Sequence, residues 1–249
     1  MASQGNGVPQ NGDGTYTAHN GVKIEHAGGA QPSRAVTPGG HPFDPTQPGF
    51  PIFHRKFANP APLGLMGFAG TTFVLSWYNT GVRGITEPNV VVGLALGYGG
   101  LAQFLAGMWE FAAGNTFGAT AFSSYGAFWF SYAAIFIPNS GILAAYEGEN
   151  EAQLPQALGF YLLSWFLVTF VFLIASLRSS VGLVAVFFFL TITFILLAAS
   201  EFTGKHNVEV AGGAFGIVTA FCAFYVALAG LLTPDTSFFM LPIGPLGPK

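Results

Sequence analysis

Hydrophobic and polar positions divide this chain sharply: residues 1–58 are polar and show no periodicity, and the rest alternates long apolar runs with short polar breaks. Apolar runs lie at 62–81, 90–109, 119–137, 157–177, 180–200 and 210–232. Each approaches the ~20 residues that a helix rising ~1.5 Å per residue needs to cross ~30 Å of hydrocarbon. The separators, Arg83 to Pro88, Glu110 to Asn115, Pro138 to Pro155, Arg178 to Ser180 and Glu201 to Glu209, carry the charges and helix breakers. The pattern predicts an all-α integral membrane protein with six transmembrane helices per subunit and both termini on one side. Its expected organisation is a disordered tail over 1–58, a transport domain over 59–233 and a short C-terminal tail over 234–249.

Composition points the same way. The chain has 249 residues, 51% of them hydrophobic and only 8% charged, and a mean hydropathy of +0.53. Soluble domains carry about 25% charged residues, so this much apolar surface calls for a bilayer as solvent. A net charge of -3 argues against a nucleic-acid partner, which requires clustered Lys and Arg. The tail, rich in Gly, Pro, Asn, Gln and His, cannot bury enough apolar surface to offset the entropy of ordering. Thr37 before Pro38 is there a linker element or a regulatory site. Because the first apolar run begins only near Pro60, no cleaved leader is expected and the first span is expected to insert the chain. Arg55, Lys56, Arg178 and Lys249 fall on one side against Arg83 and Lys205 on the other, which places both termini in the cytoplasm and the acidic Glu147, Glu149 and Glu151 outside.

Candidate chemistry is sparse. The five histidines, His19, His26, His41, His54 and His206, all fall outside the apolar runs, so no metal cluster is expected within them; no phosphate loop and no nucleophile elbow is present. The chain is therefore not read as an enzyme, and no cofactor is expected. Cys222, the single cysteine, is a small packing residue or a redox group. The runs do hold Thr71, Thr72, Ser76, Gln103, Ser123, Ser124, Tyr125, Ser131, Thr191 and Thr193. Such groups bind a small anion without a fixed cation, or else bond back to their own helices. Glu110, seven residues after Gln103 on one helical face, is a proton acceptor, a gate or a solvated helix end. Small residues recur at four-residue spacing in the second run (Gly93, Gly97; Ala102, Ala106) and the sixth (Gly212, Gly216; Ala223, Ala227), which allows close helix contact within or between subunits.

The run Asn59-Pro60-Ala61-Pro62-Leu63-Gly64-Leu65, continued by Met66-Gly67-Phe68, resembles the opening signature of the acetate uptake transporter family, which includes bacterial succinate-acetate permeases and fungal acetate and ammonia-export proteins. Tyr98-Gly99-Gly100-Leu101-Ala102-Gln103 with Ala106-Gly107 and Glu110, then Gly114-Asn115-Thr116-Phe117-Gly118 and Ser123-Ser124-Tyr125-Gly126, follow in the family's order. Phe188-Phe189-Leu190-Thr191 and Leu241-Pro242-Ile243-Gly244 also fit, so that the resemblance covers about 57–246. It implies a homohexamer with a separate path through each subunit and a constriction formed by Phe68, Tyr125 and Leu190. Phe68 is nine residues past Asn59, Tyr125 ten past Asn115 and Leu190 ten past Ser180; at ~1.5 Å per residue all three sit at a common depth near the membrane centre.

The expected function is transport of acetate and other small monocarboxylates, succinate among the candidates, along a path of Asn59, Thr71, Thr72, Gln103, Glu110, Asn115, Thr116, Ser124 and Thr191. Proton linkage and channel-like passage both stay open, since no fully embedded carboxylate or histidine marks a relay. Ammonium export and a non-transporting membrane sensor are the alternatives. Asn59 and Asn115 read as helix N-caps with Pro60 in a first turn, and the helix N-termini as a vestibule for an entering carboxylate. A fungal plasma membrane is the expected location, an organelle membrane the alternative.

Overall fold

The computed structural model describes residues 57–247 together with a two-stranded antiparallel pairing earlier in the chain, β1 (Tyr16–Thr17) with β2 (Lys23–Ile24), Tyr16 opposite Ile24. Apart from these four residues and residues 57 and 58, the tail expected over 1–58 lies outside the described residues. The chain divides into two compact units, Met1–Arg55 and Lys56–Lys249.

The long elements of the second unit are helical: α1 (Ala61–Asn79), α2 (Val91–Ala113), α3 (Thr116–Phe136), α4 (Leu154–Ser176), α5 (Val181–Thr203) and α6 (His206–Leu231). By length and composition, α2, α5, α6 and the stretch Gly148–Ser176 that contains α4 are apolar enough to cross a membrane. The others, α1 and α3, are 19 and 21 residues long but carry more Gly, Ser and Thr.

Helix ends differ from the sequence expectation where a charge was taken as a break. Glu110 lies within α2, Glu201 within α5 and Glu209 in the first turn of α6. An acidic residue on a helix face turned toward other helices does not interrupt the backbone ladder, so hydropathy alone ended those runs too early. The breaks themselves are made by Gly114 and Gly204, both at positive φ (81° and 64°), where a glycine takes the left-handed turn at little cost.

A π-helical stretch, Gly97–Ala102, is inserted in α2, and glycines let α1 and α3 close upon it. A Cβ on Gly67 would lie 2.6 Å from the Tyr98 carbonyl, and one on Gly99 would lie 2.6 Å from Thr71 Oγ1 and 2.8 Å from Trp129. The small-residue stripe of α6 packs inside the subunit: Ala223 and Ala227 are fully buried, and Cβ atoms on Gly212 and Gly216 would strike Leu197 and Ser76. On α2, in contrast, Gly93 and Gly97 have nothing within reach of an added Cβ.

After α6 the chain returns to the start of α5. Val181 N–H donates to the Gly244 carbonyl (2.7 Å) and Gly182 N–H to the Ile243 carbonyl (3.0 Å). Leu246 N–H donates to the Ser179 carbonyl (3.0 Å), and Tyr225 Oη donates to the Pro242 carbonyl (2.7 Å).

Candidate functional site

Three helices each present one stripe to the interior. On α1 it is Phe68, Thr72, Leu75, Ser76 and Asn79; on α3, Tyr125, Phe128, Trp129, Tyr132 and Phe136; on α5, Leu190, Thr193, Phe194, Leu197, Ser200 and Glu201. Each begins at a proposed constriction residue and advances by three or four, seven or eight, and ten or eleven, the spacing of one helical face. Together they enclose a cavity of about 110 Å³, the C-side cavity, completed by α4 (Leu158, Tyr161, Leu162) and by Glu209 of α6.

The same stripes continue toward the helix N-termini. Ala61 and Leu65 on α1, Gly118, Ala121 and Phe122 on α3, and Leu183, Val186 and Phe187 on α5 line a second, N-side cavity of about 190 Å³. Gln103, Asn115, Ser180, Val226 and Ile243 help close it. Phe68, Tyr125 and Leu190 are the residues common to both walls. All three are buried, at 5%, 3% and 3% exposure.

Their packing is specific. The Phe68 and Tyr125 rings lie 5.5 Å apart, and Tyr125 also meets Trp165, Phe172 and Phe187 at 6.1, 5.8 and 6.3 Å. The Tyr125 hydroxyl shares a buried 2.8 Å hydrogen bond with Thr169 Oγ1 of α4, which fixes the ring between the two cavities. Sequence reasoning missed Thr169; no motif marks it, and only the tertiary arrangement brings α4 to Tyr125.

Of the other expected path residues, Thr72 faces the C-side cavity, and Gln103 and Asn115 face the N-side one. Thr71 and Thr191 line neither: they donate to the carbonyls of Gly67 (2.9 Å) and Phe187 (2.7 Å), the back-bonding of an ordinary helical Thr. Asn59, Thr116, Ser124 and Glu110 also stand off both cavities. Glu110 is only 2% exposed, with one carboxylate oxygen unpartnered, and its side chain hydrogen-bonds Asn115. The expectation of no fully embedded carboxylate is thereby corrected for Glu110, whereas the cavity-lining Glu201 is half-buried.

The helix starts also differ from expectation. At α1, Pro60 takes the cap position and Asn59, one residue earlier, accepts from Ala61 N–H at 3.1 Å in an Asx turn. Asn115 caps α3 as expected, accepting from Gly118 N–H at 3.0 Å. At α5 Ser180 Oγ accepts from Leu183 N–H (3.2 Å) while the Gly244 and Ile243 carbonyls take the two preceding N–H groups. The first N–H groups of α5 are therefore satisfied within the chain.

Of the buried polar atoms without a partner in the described residues, three belong to cavity-lining residues, Thr72, Gln103 and Trp129. Among the buried threonines of the described residues, Thr71, Thr193 and Thr219 bond back to their helices and Thr169 holds Tyr125, whereas Thr72 Oγ1 has no partner. Gln103 Oε1 is likewise unpartnered. The cavity residues Glu201 and Glu209 escaped the sequence reading because they were placed in a loop. The signal was present all the same: Glu201 follows Leu190 by eleven residues, three helical turns on the same face. Among the described residues no group of His, Cys, Asp and Glu is placed to hold a metal ion.

Comparison with known proteins shows the family of the chain. The profile of the GPR1/FUN34/yaaH family matches residues 42–248. Ammonia transport outward protein 2 of Saccharomyces cerevisiae is 54% identical over 75% of this chain and 66% of its own length. Acetate permease A of Emericella nidulans is 50% identical over 76% of this chain and 66% of its own. The chain therefore spans about two thirds of the length of these curated relatives. A solved structure of the bacterial acetate channel SatP superposes with a TM-score of 0.65 at 38% identity, covering 76% of this chain and all of that one.

Proposed function

The chain belongs to the GPR1/FUN34/yaaH family, and from that premise we propose that it is a membrane transporter of acetate and other small monocarboxylates, not an enzyme. One observation carries the reading: two cavities meet end to end through α1, α3 and α5, and only Phe68, Tyr125 and Leu190 belong to both walls. A partition of three largely apolar side chains between two cavities strips water from the passing solute and limits its size. Thr72 on one side and Gln103 on the other offer unpartnered groups to a dehydrating carboxyl. The names of the relatives, an acetate permease and an acetate channel, support the solute.

In this reading α1 to α6 all cross the membrane, with α1 and α3 tolerating more polar residues because their stripes face the path. Both termini lie in the cytoplasm, the N-side cavity opens inward and the C-side cavity outward. The subunits form a ring of six in the plasma membrane, each with its own path, and Gly93 and Gly97 of α2, open to close approach, are available to a neighbouring copy.

Ammonium is the second reading. It is favoured by the pairing of Glu201 and Glu209 with aromatic walls in the C-side cavity and by the name of the yeast relative. Uptake of labelled acetate into liposomes holding the purified protein decides between them. Uptake above protein-free vesicles establishes acetate transport, and accumulation driven by an inward proton gradient beyond passive partition establishes symport. Ammonium flux without acetate flux establishes the alternative.

A further inference from the structure

The C-side cavity has an unusual charge inventory for a passage that carries an acid. Its lining includes two carboxylates, Glu201 and Glu209, and neither Lys nor Arg. An acetate anion entering here meets repulsion at the mouth and aromatic rings beyond it, with no cation to replace its hydration. The neutral acid meets the opposite conditions: its O–H finds strong acceptors at the mouth, and its body suits the walls of Phe128, Trp129 and Tyr161.

We propose, building on the transport reading above, that the C-side cavity admits its substrate only as the protonated acid, with Glu201 and Glu209 as the filter and Thr72 as the inner binding group. Glu201 is eleven residues past Leu190 and Thr72 four past Phe68, which puts them about 16 Å and 6 Å from the constriction along their helices. A two-carbon acid therefore reaches them in sequence. It donates its proton in a hydrogen bond to a glutamate at the mouth, then turns its carbonyl oxygen to the Thr72 hydroxyl, which is 6% exposed and without a partner in the protein.

The charged and titratable groups beside the two glutamates lie on α3, α4 and the start of α6. Tyr132 on α3 lies within electrostatic reach of both glutamates. On α4 the Tyr161 hydroxyl is engaged by Ser131 Oγ (2.8 Å) and the Phe128 carbonyl (3.3 Å). His206 Nδ1 sits 3.2 Å from one Glu209 oxygen, and that pair, with Glu201 and Lys205, lines an exterior cleft that adjoins the C-side cavity through Ser200, Glu201 and Glu209. Among the described residues Lys205 forms no ion pair within 4.0 Å.

Binding to the full-length protein in detergent tests the proposal directly, with Trp129 in the cavity wall as fluorescence reporter and a Trp129→Phe variant as the blank. At constant ionic strength, the Kd for total acetate is expected to rise about tenfold per pH unit from pH 5.5 to 7.5, following the neutral fraction. Acetamide, an uncharged isostere of the acid, is expected to compete with an affinity that changes less than about twofold over the same range. Replacing both glutamates (Glu201→Gln with Glu209→Gln) is expected to admit the anion and cut the total rise to below about tenfold. A flat Kd for acetate, an acetamide that fails to compete, or no acetate response at all overturns the proposal, and a response to ammonium alone assigns the cavity to a cation. Liposome uptake that persists beside a flat Kd removes this filter and leaves acetate transport standing, whereas absent uptake removes the transport reading itself.

Discussion

In the proposed path, single side chains set what passes. Leu190 is the smallest of the three residues shared by the cavities, and Leu190→Ala opens the partition without touching the Tyr125 to Thr169 tether. We expect the variant to take up four-carbon dicarboxylates at several times the wild-type ratio to acetate, measured by competition in liposomes. Its folding cost is about 2–5 kcal/mol, read as a lower thermal midpoint. An unchanged acetate to succinate ratio removes Leu190 from the constriction. Thr169→Val keeps the shape and deletes the hydroxyl. The Tyr125 ring then loses a bond worth about 1 kcal/mol, and discrimination against propionate and lactate is expected to weaken while acetate flux persists. The three residues proposed for this partition are those that the resemblance implied and that the common depth supported. Thr169 is not readable in this way, since a Thr in an apolar helix bonds to its own backbone far more often than to a distant tyrosine.

At the level of elements, close approach fixes α2 against α1, and the returning chain end is hydrogen-bonded to the start of α5. A methyl group at Gly67 or Gly99 collides with the Tyr98 carbonyl or with Thr71. Gly67→Ala is therefore expected to destabilise the protein by about 1–3 kcal/mol as α1 and α2 separate. Gly93→Ala, with nothing within 4 Å, leaves the subunit fold unchanged; size-exclusion chromatography of that variant reads whether the face serves assembly. Truncation after Phe239 removes the carbonyls that accept from Val181 and Gly182. We expect a loss of about 1 kcal/mol per orphaned donor and faster hydrogen exchange confined to the first turn of α5. Helical periodicity announces where these helices run, but the π-helical stretch of α2 and the pairing of 243–246 with the start of α5 depend on contacts far apart in sequence.

For the whole molecule the testable statement is topology. In a Cys222→Ala background, a cysteine at Glu149 is expected to react with an impermeant maleimide added outside intact cells, and one at Ser237 only after permeabilisation. Equal reactivity of the two positions contradicts a six-span arrangement with internal termini. The parallel course of α1, α3 and α5, visible in the matching order of their stripes along both cavities, is what six successive crossings require, because alternate helices then point the same way.

Hydrophobic patterning by itself determined that this chain belongs in a bilayer and where its helices lie, since the bilayer admits few solutions and each leaves a run of about 20 apolar residues. The motifs determined its kinship and the three residues proposed to divide the path. What only the tertiary structure decided is which polar groups face that path. Hydropathy averages over all faces of a helix, so it cannot separate Thr72, turned to the cavity, from Thr71, bonded to Gly67, nor recognise in Glu201 a cavity wall where a charge reads as a loop. Direction around a helix is settled by what the helix packs against, and that is written across six segments at once.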